Sequence, residues 1–217
     1  MMSLLPSNKD AWIIQGSVTI DINDSTHGTV EDEFLLKIIV SKTFPNEIPK
    51  VFELEDRFPK TADYHTYIDG SLCLGSPLSI QKRIHENPTI EGFVETCIVP
   101  YLFSMSLYLK GNKTFVLGEL SHGTIGILED YFEIFHLKTV PQVIKLIDIL
   151  CMKKKAANKQ VCPCECNQVI TKCKMQKIVI EYRNAMSRKD FERDKADILE
   201  LMELVTQYQE PKRIPLA

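Results

Sequence analysis

Residues 33–55 read EFLLKIIVSKTFPNEIPKVFELE, and this segment carries the strongest signal for the fold class. Glu33–Ser41 is an apolar, β-branched run bounded by polar residues, which is typical of a strand. The two prolines of the link that follows bias the residues before them to extended backbone, so the link is not helical. A further strand is predicted over Lys50–Glu55, and partial period-2 alternation predicts an earlier one over Ala11–Ile22. Three consecutive strands of this kind predict an antiparallel meander.

Helical periodicity dominates the rest of the chain. Thr89–Leu109 is long and apolar, with Pro100 as an internal kink or break. Residues 125–135 place apolar side chains on one helix face, and 141–153 predict another helix with proline near its start. The tetrapeptide 187–190, SRKD, resembles a capping box before a last amphipathic helix. Strands first and helices later predict an α+β fold, an antiparallel β-meander with helices on one face and a C-terminal helical extension.

Composition narrows the function classes. The chain has 217 residues, a net charge of −3 and a hydrophobic fraction of 44%, which is typical of a globular protein and not of a disordered one. This small net charge gives no strong electrostatic attraction to nucleic acid or to an anionic membrane. The N-terminus has no basic segment followed by an apolar one, and no apolar run was expected to span a bilayer. We therefore expect a cytoplasmic protein without a membrane or direct nucleic-acid partner.

The lysine run that begins at Lys153 marks a shift in composition, which predicts two domains, 1–152 and 153–217. The chain has seven cysteines, an odd number, so a disulfide framework is not expected. Four of them cluster in the second domain: Cys162, Cys164, Cys166 and Cys173. Such clustering indicates a metal site more than a set of crosslinks.

The irregular segment 56–77 contains Cys73 and two glycines. Irregular segments of this length in compact domains are usually functional or disordered, and the aromatic residues in this one predict order. A cysteine thiolate is a strong nucleophile that forms thioesters, which an amine can later attack. The alternative is that Cys73, lying between two leucines, is a small buried apolar side chain.

Two segments, FPNEIPKVF (44–52) and HTYIDGSLCL (65–74), resemble in their order the signatures of the ubiquitin-conjugating superfamily. That family carries tyrosine-proline and proline-x-valine-x-phenylalanine, then histidine-proline-asparagine and glycine-x-apolar-cysteine-leucine. The resemblance covers about residues 11–135. The matching positions are Pro45, Pro49, Val51, Phe52, His65, Gly70, Leu72, Cys73 and Leu74. Thr66 and Tyr67 stand where the family has proline and asparagine, and the tryptophan usual after the cysteine is missing.

The resemblance is stronger to bacterial conjugating-like proteins of anti-phage operons. It implies an acyl carrier that forms a thioester on Cys73 and transfers a protein C-terminus to an amine. The implied partner is a nucleotidyltransferase related to the cyclic-dinucleotide synthases, or a ubiquitin-like protein. The oxyanion donor is a backbone N–H near Cys73, the Tyr67 hydroxyl or His65. His122 is expected to approach Cys73 and to act as a base or to position a donor. The alternative is that His122 and its neighbour cap a helix.

Two other functions remain open at this point. One is a catalytically inactive binding module with the ubiquitin-conjugating fold. The other is a thiol hydrolase that uses Cys73 and His122. For His65 the alternative to catalysis is a structural role, in which it fastens its segment by a hydrogen bond.

The cysteine cluster resembles the SEC-C zinc motif, in which cysteine-x-cysteine is followed after eight residues by cysteine and then cysteine or histidine. Cys162, Cys164 and Cys173 match, Lys174 replaces the last ligand, and Cys166 supplies a fourth thiolate. The resemblance implies one structural zinc ion. The alternative is a degenerate module that has lost its metal.

Overall fold

The computed structural model describes residues 2–5, 10–111, 115 and 123–209. The chain forms two compact units, 1–120 and 121–217. This division falls earlier than the predicted boundary between 152 and 153, because the helices that follow residue 122 pack with the C-terminal helices. The lysine run at 153–155 lies inside the second unit.

In the first unit, four strands among the described residues form one antiparallel sheet in the order β1-β2-β3-β4. Their bounds are Met2–Leu5 (β1), Ala11–Asp24 (β2), Gly28–Ser41 (β3) and Lys50–Glu53 (β4). The antiparallel meander is therefore confirmed, and β1 is an additional strand at its edge. The chain has a mixed α+β fold.

The long β2–β3 hairpin provides the sheet side of the core. On β3, alternate side chains are buried, from Phe34 through Leu36 and Ile38 to Val40. This period of two places one face of the sheet against helix α3 (Val99–Leu109), which packs on β2 and β3. The helical side of this unit also contains α1 (Pro77–Glu86) and α2 (Ile90–Phe93).

Pro100 does not break the helical run. A π-helical segment, Val94–Ile98, joins α2 to α3, and Pro100 lies at the start of α3. Because proline has no N–H, the carbonyl of Thr96 is left without the usual helical donor. The Arg83 guanidinium of α1 donates to that carbonyl at 3.0 Å. A neighbouring helix thus supplies the hydrogen bond that the proline removes.

The helical run Ile90–Leu109 contradicts one expectation from the sequence. It has 20 residues, and an 18-residue window within it has a mean hydropathy of 1.3, so it is long and apolar enough to cross a membrane by length and composition. The expectation that no apolar run reaches that length is wrong. In the structure, 61% of that window is buried inside the protein, and the core helix of a soluble protein passes the same test.

The second unit is helical in its described residues. Its helices are α4 (Gly123–Phe135), α5 (Val140–Cys151), α6 (Lys154–Ala157), α7 (Met175–Ala185) and α8 (Arg188–Gln209). The capping box is confirmed, because Ser187 and Asp190 exchange hydrogen bonds at the start of α8. The predicted face of α4 is only partly buried: Phe135 is buried, whereas Ile125 is 49% exposed.

A buried acid joins α4 to α8. Asp194 is 1% exposed, and the Tyr131 hydroxyl donates to its Oδ2 at 3.0 Å. Its Oδ1 has no hydrogen-bond partner among the described residues. Burial raises the pKa of the Asp194 carboxyl from 3.8 to about 6, against the opposing effect of the Tyr131 hydrogen bond. The folded protein therefore holds this proton more tightly than the unfolded chain does.

We expect Asp194→Asn to remove a pH dependence of stability. Since the folded-state pKa is raised, the contribution of Asp194 is fully present below pH 3.8 and is lost as pH rises through about 6. Two pKa units correspond to about 3 kcal/mol in the free energy of unfolding. Chemical denaturation at pH 3 and pH 7 should show the stability of the variant rising by that amount relative to wild type as pH increases. Glu200→Gln, on the exposed face of α8, is the control, and parallel pH profiles for wild type and Asp194→Asn would contradict the prediction.

Candidate functional site

Cys73 lies on a small hairpin that the sequence did not predict. Thr66 and Leu72 form an antiparallel bridge, the Cys73 N–H donates to the His65 carbonyl at 2.7 Å, and the Tyr67 N–H donates to the Ser71 carbonyl at 2.8 Å. Thr66 and Leu72 are both buried, which fixes the inner face of the hairpin. Tyr67 and Cys73 therefore share the other face as diagonal neighbours.

The tip of this hairpin is held by an aspartate. Asp69 accepts hydrogen bonds from the Ser71 N–H at 3.0 Å and the Ser71 hydroxyl at 2.5 Å, and it pairs with Lys50 of β4 at 3.0 Å. These contacts, the Ser71 hydroxyl first, lower the pKa of Asp69 to about 2. Gly70 has φ +83, a left-handed conformation, and a Cβ there would lie 3.2 Å from Lys60 Cε. The Asp69 contacts and the left-handed Gly70 therefore fix the conformation of the hairpin tip.

The base of the hairpin is fastened to the sheet and to α3. The Leu72 N–H donates to the Val51 carbonyl of β4 at 2.8 Å. From α3, the Tyr101 hydroxyl donates to the Tyr64 carbonyl at 3.0 Å. Burial raises the pKa of Tyr101, so this hydroxyl keeps its proton at neutral pH. Cys73 thus lies on a hairpin that is anchored to two elements.

The Tyr67 phenol interacts with the Cys73 sulfur. The pKa of Tyr67 is raised, first by partial burial, then by the hydrogen-bonding and charge effects of Cys73, and last by the charge of Asp69. The phenol therefore stays protonated at neutral pH and can donate a hydrogen bond beside the sulfur. Tyr67 is nonetheless 52% exposed, and the neighbouring Ile68 is 96% exposed. The site is therefore open to a large substrate.

The backbone near Cys73 offers fewer donors than the sequence suggested. The N–H groups of Leu72 and Cys73 are both engaged, with the carbonyls of Val51 and His65. They cannot donate to a reacting carbonyl without breaking the hairpin. The Tyr67 hydroxyl, one of the three predicted oxyanion donors, interacts with the Cys73 sulfur.

His65 contributes structurally to the hairpin. Its carbonyl accepts from Cys73, and its backbone has φ +46, in the left-handed region. The imidazole lies against the ring of Phe115, with 4.2 Å between the ring centroids. These contacts favour the fastening role that was one of its two predicted roles.

The described residues include Cys97 but not His122. His122 and Ser121 lie outside the described residues, so the approach of His122 to Cys73 stays a prediction. Cys97 lies in the core and is 1% exposed. The sequence reasoning overlooked Tyr101 and Asp69 as positioning residues. For Asp69 a signal was present, because Asp-Gly-Ser is turn chemistry.

The second candidate site is the cysteine cluster. The sulfurs of Cys162, Cys164, Cys166 and Cys173 all lie within 4.8 Å of one another, so these four residues could hold a metal ion. The Cys162 and Cys164 sulfurs are 3.1 Å apart, and those of Cys164 and Cys173 are 3.5 Å apart. Sequence reasoning named all four of these residues, and the structure brings them together.

Local backbone structure explains why these sulfurs converge. Val161 and Val169 form an antiparallel bridge, and the Cys162 N–H donates to the Gln168 carbonyl at 2.8 Å, which closes the loop that carries three of the cysteines. Cys173 follows a single 3-10 turn, Ile170–Lys172. Its sulfur accepts the Met175 N–H at 3.4 Å.

The donor set fits a soft or borderline cation. Burial, followed by the neighbouring sulfurs, raises the pKa of the Cys162 thiol, which the Cys164 N–H only partly offsets. A cation would reverse this balance, because a coordinating thiol is deprotonated. Zinc–sulfur bonds of about 2.3 Å give a tetrahedral sulfur–sulfur edge of about 3.8 Å, so an ion would spread the Cys162–Cys164 pair by about 0.7 Å.

Comparison with known proteins does not assign either site. No family model, curated protein or solved structure matches this chain.

Proposed function

We propose that the first unit is a ubiquitin-conjugating-like acyl carrier, an acyltransferase that works through a thioester on Cys73. The observation that carries this proposal is the placement of Cys73 and Tyr67 as diagonal neighbours on one face of an anchored, open hairpin, where the Cys73 sulfur helps to raise the pKa of the Tyr67 phenol. The antiparallel meander that precedes the hairpin agrees with the resemblance of residues 11–135 to that superfamily.

The chemistry has two balanced steps. The Cys73 thiolate attacks the carbonyl of an activated acyl donor, a thioester or acyl-adenylate, and the donor's thiolate or AMP leaves as the Cys73 thioester forms. An amine then attacks that thioester, loses a proton to solvent and releases the thiolate. In each step the carbonyl oxygen becomes an oxyanion, and the protonated Tyr67 hydroxyl is the donor that stabilises it.

The acyl donor is the C-terminus of a partner protein. The exposed hairpin tip, with Ile68 at 96% exposure, suits a protein partner better than a small substrate that must be enclosed. The same exposed tip also favours the second candidate, an inactive binding module of this fold. In the bacterial families that the sequence resembles, the partner is a cyclic-dinucleotide-synthase-type nucleotidyltransferase or a ubiquitin-like protein.

The experiment that separates these functions traps the intermediate. The full chain is incubated with a peptide thioester, quenched at low pH and analysed by intact mass. A carrier gains the acyl mass on Cys73 and loses it on addition of a thiol reducing agent. A binding module gains no acyl mass, and a thiol hydrolase turns the thioester over to free acid without accumulating the adduct.

We expect Tyr67→Phe to slow acyl transfer through Cys73 by about 100-fold, the usual effect of removing one oxyanion donor. The ring remains, so the hairpin should keep its packing. The measurement is the single-turnover rate of Cys73 acylation by a peptide thioester. Tyr64→Phe is the matched control, because the Tyr64 ring packs against Tyr108. A Tyr67→Phe rate within twofold of wild type would remove Tyr67 from the mechanism.

We further propose that the cysteine cluster of the second unit holds one zinc ion. Four thiolates in a closed set are typical of structural zinc sites. The ion would be bound by Cys162, Cys164, Cys166 and Cys173, and its role is to stabilise the loop that carries them.

A further inference from the structure

Cys166 differs from the other three cysteines of the cluster in its exposure. Cys162 is 1% exposed, Cys164 and Cys173 are half-buried, and Cys166 is exposed. An outside reagent or ligand can therefore reach Cys166 without unfolding the loop. The buried Cys162 has no such open path.

The close contacts also separate an inner group from Cys166. The Cys162, Cys164 and Cys173 sulfurs form a chain of contacts at 3.1 and 3.5 Å. Of these, the Cys173 sulfur accepts the Met175 N–H at 3.4 Å. This donor fixes the position of the Cys173 sulfur before an ion arrives. The three inner sulfurs are thus a preorganised group.

The backbone around Cys166 is conformationally costly. Glu165 has φ +63 and Asn167 has φ +56, both in the left-handed region. That conformation costs about 1–2 kcal/mol for a residue with a side chain, and asparagine tolerates it better than glutamate. A bound ion that ligates Cys166 would hold this turn in place. Release of Cys166 would let the turn relax, which lowers the cost of that release.

We propose that Cys166 is an exchangeable fourth ligand, and that the ion remains on the three inner sulfurs while a thiol from a second molecule takes the position of Cys166. This inference rests on the proposed metal site. The exchange is balanced: the incoming thiol loses a proton as it binds, and the departing Cys166 thiolate takes one up. The charge of the metal complex is unchanged. The site is therefore a place where a partner's cysteine can dock on the ion.

The test uses the full chain loaded with one equivalent of zinc and freed of excess metal. Limiting iodoacetamide is added, the modified cysteines are mapped by peptide mass, and zinc retention is read by native mass. We expect Cys166 to be alkylated first, with the ion still bound. Reduced glutathione is then titrated in, and a complex of protein, zinc and one glutathione should form more readily with Cys166→Ser than with wild type.

Matched variants make the outcome decisive. Cys166→Ser should retain about one zinc per chain, whereas Cys164→Ser should lose it, and Cys151→Ser, outside the cluster, should behave as wild type. The inference is overturned if Cys166→Ser loses zinc as completely as Cys164→Ser. It is also overturned if Cys166 is alkylated no earlier than Cys162 in the loaded protein. If wild type takes up no zinc, the metal site itself fails, and that result is distinct from both.

Discussion

Cys73→Ser is expected to accumulate an acyl adduct that resists reducing agent, whereas the wild-type adduct is reducible and Cys73→Ala forms none. A hydroxyl is a weaker nucleophile than a thiolate, so the serine variant should load more slowly. Its product is an oxygen ester, which amines and thiols attack less readily than a thioester. The carrier would therefore be trapped in its loaded state.

Cys73→Ala tests whether the sulfur is needed at all. Cys73 is half-buried on the hairpin, and its backbone hydrogen bond to His65 does not depend on the side chain. The loss of this small side chain should cost about 1 kcal/mol or less of stability, so the variant should remain folded. The Tyr67 hydroxyl, being on a half-exposed residue, can bond to water instead.

The control for these variants is Cys151→Ser, which removes a half-buried thiol from the second unit. It should load and discharge as wild type does. Intact mass before and after thiol treatment, together with the activity of each variant in its host, provides the measurements. Full biological activity in Cys73→Ala would replace the carrier by the binding module. An acyl adduct that persists in Cys73→Ala would place the nucleophile elsewhere.

The meander could be predicted from the sequence because its signals are local. The strands over Glu33–Ser41 and Ala11–Ile22 show their burial as β-branched runs with a period near two. The structure extends both toward the turn between them, where the periodicity fades into polar residues. The capping box at Ser187 is equally local, since its two partners are three residues apart.

The domain boundary could not be predicted in the same way. A helix stripe shows which face is buried but not which element covers it. Helix α4 joins α8 through the buried Tyr131–Asp194 hydrogen bond, and the rings of Phe135 and Tyr182 lie 5.1 Å apart. A pattern of apolar residues does not reveal a buried aspartate. That is also why the predicted face of α4 included the exposed Ile125.

Sequence patterns identified only part of the candidate site, again because its geometry depends on contacts between distant segments of the chain. Cys73 and Tyr67 were singled out by their residue types and by the resemblance. Their contact depends on the register of a short hairpin, which is set by Leu72 bonding to Val51 of a distant strand. A shift of one residue would put Cys73 on the buried face. The four cysteines lie within twelve residues, so their convergence was easier to predict.

Removal of metal from the second unit is expected to have the largest effect on structure. Apparent binding free energies of structural zinc in small peptides are about 10–16 kcal/mol, and they are folding free energies in those systems. Here the loop also packs through buried residues, including Cys162 and Ile170, so part of its structure should survive chelation. We expect a chelator to lower the midpoint of thermal unfolding and to expose the loop amides.

The measurements are zinc per chain in protein purified without chelator, and hydrogen exchange before and after chelation. About one zinc per chain is expected, with loss of protection concentrated in residues 160–176, where the cysteine loop and the 3-10 turn lie. The helix α5 serves as the internal reference, since no cysteine of the cluster lies on it. A tetrahedral set of four sulfurs also suits iron, so colour and iron content are measured on the same sample. Substoichiometric zinc, with stability and exchange unchanged by chelator, would show that the loop is held by its own packing and that the cluster is a degenerate module.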